Sequence, residues 1–193
     1  MSNSITMKNI NKSYDGKPVI SNFRASFAKG STTCITGQSG CGKTTLLRII
    51  AGLEIPDSGT VETDADGIAF VFQEDRLAED FSSIRNIKIV TGNRLSTEEI
   101  MSHLDCVGLK EYALKPVREL SGGMKRRLAI VRAICHDAQL VLMDEPFKGL
   151  DHKIKEEVMS YVKRNTENKT LVFVSHDSEE AQYFGCNTIN LNH

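Results

Sequence analysis

The sequence predicts an α/β fold: a mostly parallel sheet covered on two sides by helices, with a helical sub-domain inserted between two parts of that sheet. Three observations predict it. Several short strands are apolar on both faces and alternate with helical segments, the pattern of sheets buried from both sides. A glycine-rich turn joins one such strand to a helix. The middle of the chain, from about Ser96 to Ala133, reads as helix.

The elements follow in order. The opening region reads as strands, since Phe23, Ala25 and Phe27 alternate with Arg24 and Ser26. Lys29-Gly30 supplies a turn, and the β-branched run Thr32–Thr36 predicts a buried strand. Gly37 to Gly42 form the glycine-rich turn, after which Leu46, Leu47, Ile49 and Ile50 stand at helical spacing. Ile55-Pro56-Asp57-Ser58-Gly59 breaks that helix, and Ile68 to Phe72 is the next core strand. Ser96 and Glu99 have the spacing of a capping box, with Ile100, Leu104 and Val107 as the buried stripe. A second helix opens at Ser121, with Met124, Leu128, Val131 and Cys135 on one face. Leu140–Met143 is a fully apolar strand, and Ile154, Val158, Tyr161 and Val162 mark a helix. Thr170 to Ser175 is another buried strand, followed by a short helix near Asp177 with Glu180 behind it.

Length and composition narrow the function. A chain of 193 residues suits one domain, and 40% hydrophobic residues suffice for a core. With a net charge of −1, nothing in the overall balance argues for nucleic acid or an anionic membrane surface as a partner, and no nucleic-acid partner is expected. The basic triplet Lys125-Arg126-Arg127 is too short to alter that and reads as a solvated helix face. The longest apolar runs are strand-length, far short of the ~20 residues of a membrane span. Met1-Ser2-Asn3-Ser4 lacks the features of a signal peptide. The five cysteines show neither a C-x-x-C pair nor a metal-ligand spacing, so reduced thiols in a cytoplasmic protein are expected.

The chemistry begins at Gly37-Gln38-Ser39-Gly40-Cys41-Gly42-Lys43-Thr44, which matches G-x-x-x-x-G-K-[ST], the phosphate-binding P-loop. Glycines let backbone N–H groups turn toward phosphates, and the following helix presents its positive end. Lys43 can reach the β- and γ-phosphates, and the Thr44 hydroxyl can bind Mg2+. Leu140–Met143 ends in Asp144-Glu145, at the sheet edge where ligands of α/β proteins sit. Asp144 suits Mg2+ through water, and Glu145 can polarise an attacking water. His176 and Gln73 also end predicted strands, His176 suited to a phosphate or water contact and Gln73 to Mg2+ or water. Leu120-Ser121-Gly122-Gly123 is a serine-capped helix start that offers N–H groups and a hydroxyl to an anion. Two phosphate sites for one nucleotide suggest two chains sharing each nucleotide.

The order of P-loop, Gln73, Leu-Ser-Gly-Gly, Asp144-Glu145 and His176 resembles the nucleotide-binding subunit of ABC transporters, over nearly the whole chain from Tyr14 to His176. The resemblance implies a P-loop NTPase (RecA-like) core over 1–73 and 136–193, an amino-terminal antiparallel β part, and a helical sub-domain over about 74–135. It implies ATP and Mg2+ as cofactors and an ATP-dependent head-to-tail dimer of two copies. Tyr14 would stack on adenine, and Gly37 to Thr45, with Thr45 beside Thr44, would hold the phosphates. Thr44, Gln73 and Asp144 would serve the metal, Glu145 would be the catalytic base, and His176 the γ-phosphate switch. Ser121, Gly122 and Gly123 would close the other copy's site, with Asp151 also at the nucleotide. Residues 74–89 resemble the surface that meets a membrane permease, which would hold the chain on the inner face of the cell membrane. A solute-binding protein would be an indirect partner.

Phe72-Gln73-Glu74-Asp75-Arg76-Leu77, with Ile84-Arg85-Asn86-Ile87, is similar to importers of nitrate, sulfonates and taurine. Export or lipoprotein-release systems and non-transport ABC ATPases are the alternatives. The sequence departs from the family at Lys148-Gly149, where serine and alanine usually precede Leu-Asp. A minimal motor without a carboxyl-terminal regulatory module is expected.

Overall fold

The computed structural model describes residues 3–92 and 94–191, so Met1 and Ser2 of the amino-terminal segment lie outside the described residues. The first elements are β1 (Asn3–Tyr14), β2 (Lys17–Ala28), β3 (Thr32–Thr36), α1 (Lys43–Ile50), β4 (Ser58–Thr63) and β5 (Ile68–Val71). Next come α2 (Ser83–Thr91), α3 (Thr97–Asp105) and α4 (Gly122–Cys135). The last are β6 (Leu140–Asp144), α5 (His152–Asn165), β7 (Thr170–Val174), α6 (Ser178–Phe184) and β8 (Asn187–Asn190). By contacts the chain divides into two units, Met1–Phe70 with Ala138–Glu145 and Asn168–His193, and Val71–Asp137 with Pro146–Glu167. Residues 146–167, which the sequence reading assigns to the core, group with the second unit.

The first unit contains two sheets. β1 and β2 pair antiparallel across Asp15-Gly16, both with left-handed φ (50° and 73°). That is the conformation of tight hairpin turns whose twist matches their strands. β4 pairs with the other side of β1. The second sheet has the order β5-β6-β7-β3-β8, and its β6–β7, β7–β3 and β3–β8 pairs are parallel. Every residue of β6 and β7 is buried, which explains the apolar runs Leu140–Met143 and Leu171–Val174. One hydrophobic cluster joins the sheets: Ile5 and Phe27 meet Ile35, Leu140, Val172 and the α1 residues Leu46, Leu47 and Ile50.

The second unit is built from α2 to α5. The expected capping box at Ser96 and Glu99 is present, and Ile100, Leu104 and Val107 are buried. The stretch from Ser96 to Ala133 is not continuous helix. Gly108 turns left-handed (φ 66°), and the chain passes through two short 3-10 turns, Lys110–Tyr112 and Val117–Glu119, before Ser121 caps α4. Helix α2 was not expected from the sequence. Its cap is Ser82, which accepts from the Arg85 N–H, and Ile84 and Ile87 are its buried anchors.

A polar node lies inside this unit. The Tyr161 hydroxyl is 2.9 Å from His103 Nδ1 and bonded to the Cys135 side chain, linking α5 to α3 and α4. Burial pushes this phenol well above its ordinary pKa.

The basic triplet on α4 is not a solvated face. Lys125 pairs with Glu79 at 2.7 Å, Arg127 donates to the Val107 and Gly123 carbonyls, and Arg126 is only 6% exposed. Backbone carbonyls of other segments of the unit, Val107 for Arg127 and Phe72 and Pro146 for Arg126, draw the two arginine side chains inward, while a carboxylate holds Lys125.

Candidate functional site

The first unit gathers one group of the expected residues at the carboxyl ends of its parallel strands. β3 leads into Gly37–Gly42 and then α1. Gly42 is left-handed (φ 99°), and a Cβ there would lie 2.9 Å from Val19 Cγ1 and 3.0 Å from the Val19 carbonyl oxygen. Only glycine lets the loop pass so close to the start of β2. No side chain caps the amino end of α1, so its first N–H groups face the loop. Lys43, 6% exposed, curls back into the loop and donates to the Gly37 and Gln38 carbonyls at 2.9 and 2.7 Å. Gln38, Ser39 and Gly40 are exposed at the tip, Cys41 is half-buried, and the Thr44 and Thr45 side chains are half-buried on the first turn of α1.

Register places the acidic pair beside this loop. Ile35 on β3 pairs with Val174 on β7, and Val174 pairs with Asp144 on β6. Asp144 is thus level with Ile35 and two strand spacings away, ~10 Å across the sheet. Asp144 is buried, 2% exposed. Glu145 follows with a left-handed φ of 47°, its N–H donating to the Val174 carbonyl. That turn aims its side chain along the sheet edge, at a conformational cost of about 1 kcal/mol or more for a non-glycine residue. Glu145 Oε1 lies 2.9 Å from His176 Nε2. The histidine sits in a loop fixed at both ends: Ser175 N–H donates to the Ile35 carbonyl, and Asp177 N–H donates to Ser175 Oγ. The sequence suggested a phosphate or water contact for His176; its observed partner is the Glu145 carboxylate.

Tyr14 ends β1 at the hairpin turn, 41% exposed, with Lys12 Nζ 5.3 Å from its ring centre. It pairs with Lys17, two residues before the Val19 that touches Gly42, so the hairpin end stands next to the loop. Lys12 is held by Glu54 at 2.8 Å and Asp57 at 3.4 Å, a cluster the sequence reading missed. A separate cleft of ≈ 600 Å³ includes Thr36, His176, Gln182 and Cys186 but none of Gly37–Thr45. It is not the phosphate-facing surface.

The remaining expected residues lie in the second unit. Gln73 is exposed just beyond β5. Ser121 caps α4 through the Met124 N–H, with Gly122 open to solvent. Asp151 caps α5 by accepting from the Ile154 N–H at 3.1 Å, and the Leu150 side chain before it lies 3.7 Å from the Cβ position of Gly123.

Chemically, the first unit offers a curved loop with an ammonium at its centre, a helix amino end, and two carboxylates, one buried and one bonded to an imidazole. This set is chemically suited to binding polyphosphate and to handling the proton of a water molecule. Among the described residues no cluster of three or more His, Cys, Asp or Glu could form a protein-only metal cage. A hydroxyl and a buried carboxylate instead fit Mg2+, which keeps waters and phosphates in its shell.

Comparison with known proteins agrees with this geometry. The ABC transporter family profile matches residues 20–148. The chain is 35% identical over 189 residues to the aliphatic sulfonates import ATP-binding protein SsuB 1 of Burkholderia lata, covering 94% of this chain and 59% of that protein. It is 34% identical to the spermidine/putrescine import ATP-binding protein PotA of Legionella pneumophila, covering 98% of this chain and 57% of that protein. The chain therefore spans about six-tenths of the length of these curated relatives. Among solved structures, a dimeric ATP-binding cassette in a post-hydrolysis state bound to ADP and Pi superposes with a TM-score of 0.85 at 30% identity, covering 97% of this chain and 94% of that one.

Proposed function

The chain belongs to the ABC transporter family, and from that premise we propose that it binds and hydrolyses ATP to power a separate membrane permease. The permease is of the importer class, and its solute is a small nutrient of the nitrate, sulfonate or taurine type. The names of the sulfonate and polyamine relatives support import over export. No helix among the described residues is long and apolar enough to cross a membrane, which fits a subunit that reaches the cytoplasmic face of the membrane through its partner.

The observation that carries the proposal is the Glu145–His176 pair, 2.9 Å apart on the sheet edge that also bears the Lys43 loop. Glu145 takes the proton of the attacking water. His176 holds that carboxylate in place and is within reach of the same water. Lys43 and the loop N–H groups bind the β- and γ-phosphates, and Tyr14 stacks on adenine. Thr44 and Asp144 hold Mg2+, which when bound neutralises phosphate charge. Gln73, Ser121–Gly123 and Asp151 keep the roles implied by the family resemblance, in a head-to-tail dimer with a second copy. We also keep, as a proposal, a RecA-like core over 1–73 and 136–193 with a helical sub-domain over 74–135. ATP favours the closed dimer because it touches both copies, and hydrolysis removes that bridge.

The test is Glu145→Gln. Size-exclusion chromatography with ATP and Mg2+ should show a stable dimer, with hydrolysis lost by a factor of about 10² or more. A variant that stays monomeric with ATP, or that hydrolyses ATP like the parent, sinks the assignment.

A further inference from the structure

Arg126 is a buried cation with no part in the site as described so far. Its side chain comes from the second turn of α4, the helix capped by Ser121. It donates from Nε to the Pro146 carbonyl at 3.1 Å, and from Nη1 to the carbonyls of Phe72 and Gln73 and to Asp75 Oδ1 at 3.3 Å. The Gln73 bond is long, at 3.4 Å. All these partners belong to its own unit.

The positions of those carbonyls matter. The chain passes from the first unit to the second between Phe70 and Val71, and again between Glu145 and Pro146. Arg126 therefore grips both passages within three residues of the crossing. One passage carries Gln73; the other follows Glu145 directly. A planar guanidinium with fixed donor directions is suited to hold two backbone segments in one register, which a flexible ammonium does less well. Side-chain packing alone would not call for a charge here, since burying a cation costs heavily unless every donor is met.

We infer that Arg126 is a positioning residue for hydrolysis, setting the backbone at Gln73 and after Glu145 in register with the Ser121-led helix. This rests on the roles proposed above for Gln73 and Glu145. Arg126 touches neither nucleotide nor water; it fixes the carbonyls from which the acting side chains depart. Its loss should therefore damage turnover and spare ATP affinity, which the first unit's loop provides.

The full chain is tested as Arg126→Met and Arg126→Lys, beside Glu145→Gln. ATP turnover, ATP affinity from a fluorescent analogue, and thermal melting are measured. Arg126→Met should lower kcat about tenfold or more, since small misplacements of reacting groups are costly, with Kd for ATP within about twofold and melting still cooperative. Arg126→Lys, which keeps the charge but not the fork, should fall between Arg126→Met and the parent. Parent-like kcat in Arg126→Met overturns the inference. So does a parallel fall of kcat, affinity and melting cooperativity in both variants, which marks Arg126 as a structural support only. Should Arg126→Met fail to fold, parent-like kcat in Arg126→Lys overturns the inference by itself. An inactive Glu145→Gln beside an unimpaired Arg126→Met rejects the Arg126 role alone, whereas an active Glu145→Gln removes the premise and the inference with it.

Discussion

Replacing Gly42 by alanine should destabilise the first unit through two separable effects. The backbone there sits at φ 99°, where an L side chain costs about 1–2 kcal/mol. The new Cβ would also lie 2.9 Å from Val19 Cγ1 and 3.0 Å from both Ile20 Cγ1 and the Val19 carbonyl. Crowding of that kind costs about 1–3 kcal/mol. The sum, about 2–5 kcal/mol, is a large share of the stability of an ordinary domain, about 5–15 kcal/mol. Gly40→Ala is the control: its φ is 81°, but nothing lies within 4 Å of its Cβ position, so only the backbone effect applies. Urea titration of both variants, with m-values compared, isolates the crowding as their difference. Adding Val19→Ala to Gly42→Ala should recover part of the loss, because it removes the methyl but leaves the carbonyl oxygen. Equal midpoints for Gly42→Ala and Gly40→Ala would refute the reasoning, since they would mean that the loop moves away from β2 at no cost. The ATP affinity of Gly42→Ala should fall in step with its stability, because the same contact sets the curvature of the loop.

Two further outcomes follow from buried polar groups. Tyr161→Phe removes the hydroxyl shared by His103 and Cys135. It should cost about 1–2 kcal/mol, read as a melting temperature lower by several degrees; unchanged melting would show the node to be idle. Burial, with smaller contributions from Cys186 and Glu180, raises the Cys34 thiol from an ordinary value of 9.0 to about 12. The unfolded chain therefore loses this proton before the folded one does, and the contribution is whole below pH 9 and declines as pH rises toward about 12. Cys34→Ala should flatten the alkaline limb of the stability profile over that window, and an identical slope in the two proteins would contradict the assignment.

Much of the first unit was legible because its signals are local. The P-loop spacing, the β-branched run of β3, the apolar runs of β6 and β7, and the carboxylates at the end of β6 each lie within a few consecutive residues. The capping box at Ser96 and the Asp177 cap were legible for the same reason. The Asp15-Gly16 hairpin turn is a local signal of the same kind. β4 was not legible, because its residues are nearly all exposed and it exists by pairing with β1 rather than by burial. Helix α2 was obscured by exposed Ile89 and charged Arg85 and Lys88, which blur its apolar stripe. The burial of Arg126 has no local signature. Whether a cation turns inward depends on carbonyls at Phe72 and Pro146, 54 and 20 residues away, and no local pattern announces them.

The inward curl of Lys43 bears on which visitors the loop can hold. The ammonium is already tethered to two carbonyls, so little side-chain freedom remains to be lost on association. A visitor must instead outcompete those carbonyls for the cation. A multiply charged oxyanion does so readily; a neutral molecule of similar outline gains no such exchange. The arrangement therefore screens guests by charge before shape, and a nucleoside stripped of its phosphates should be nearly invisible to it.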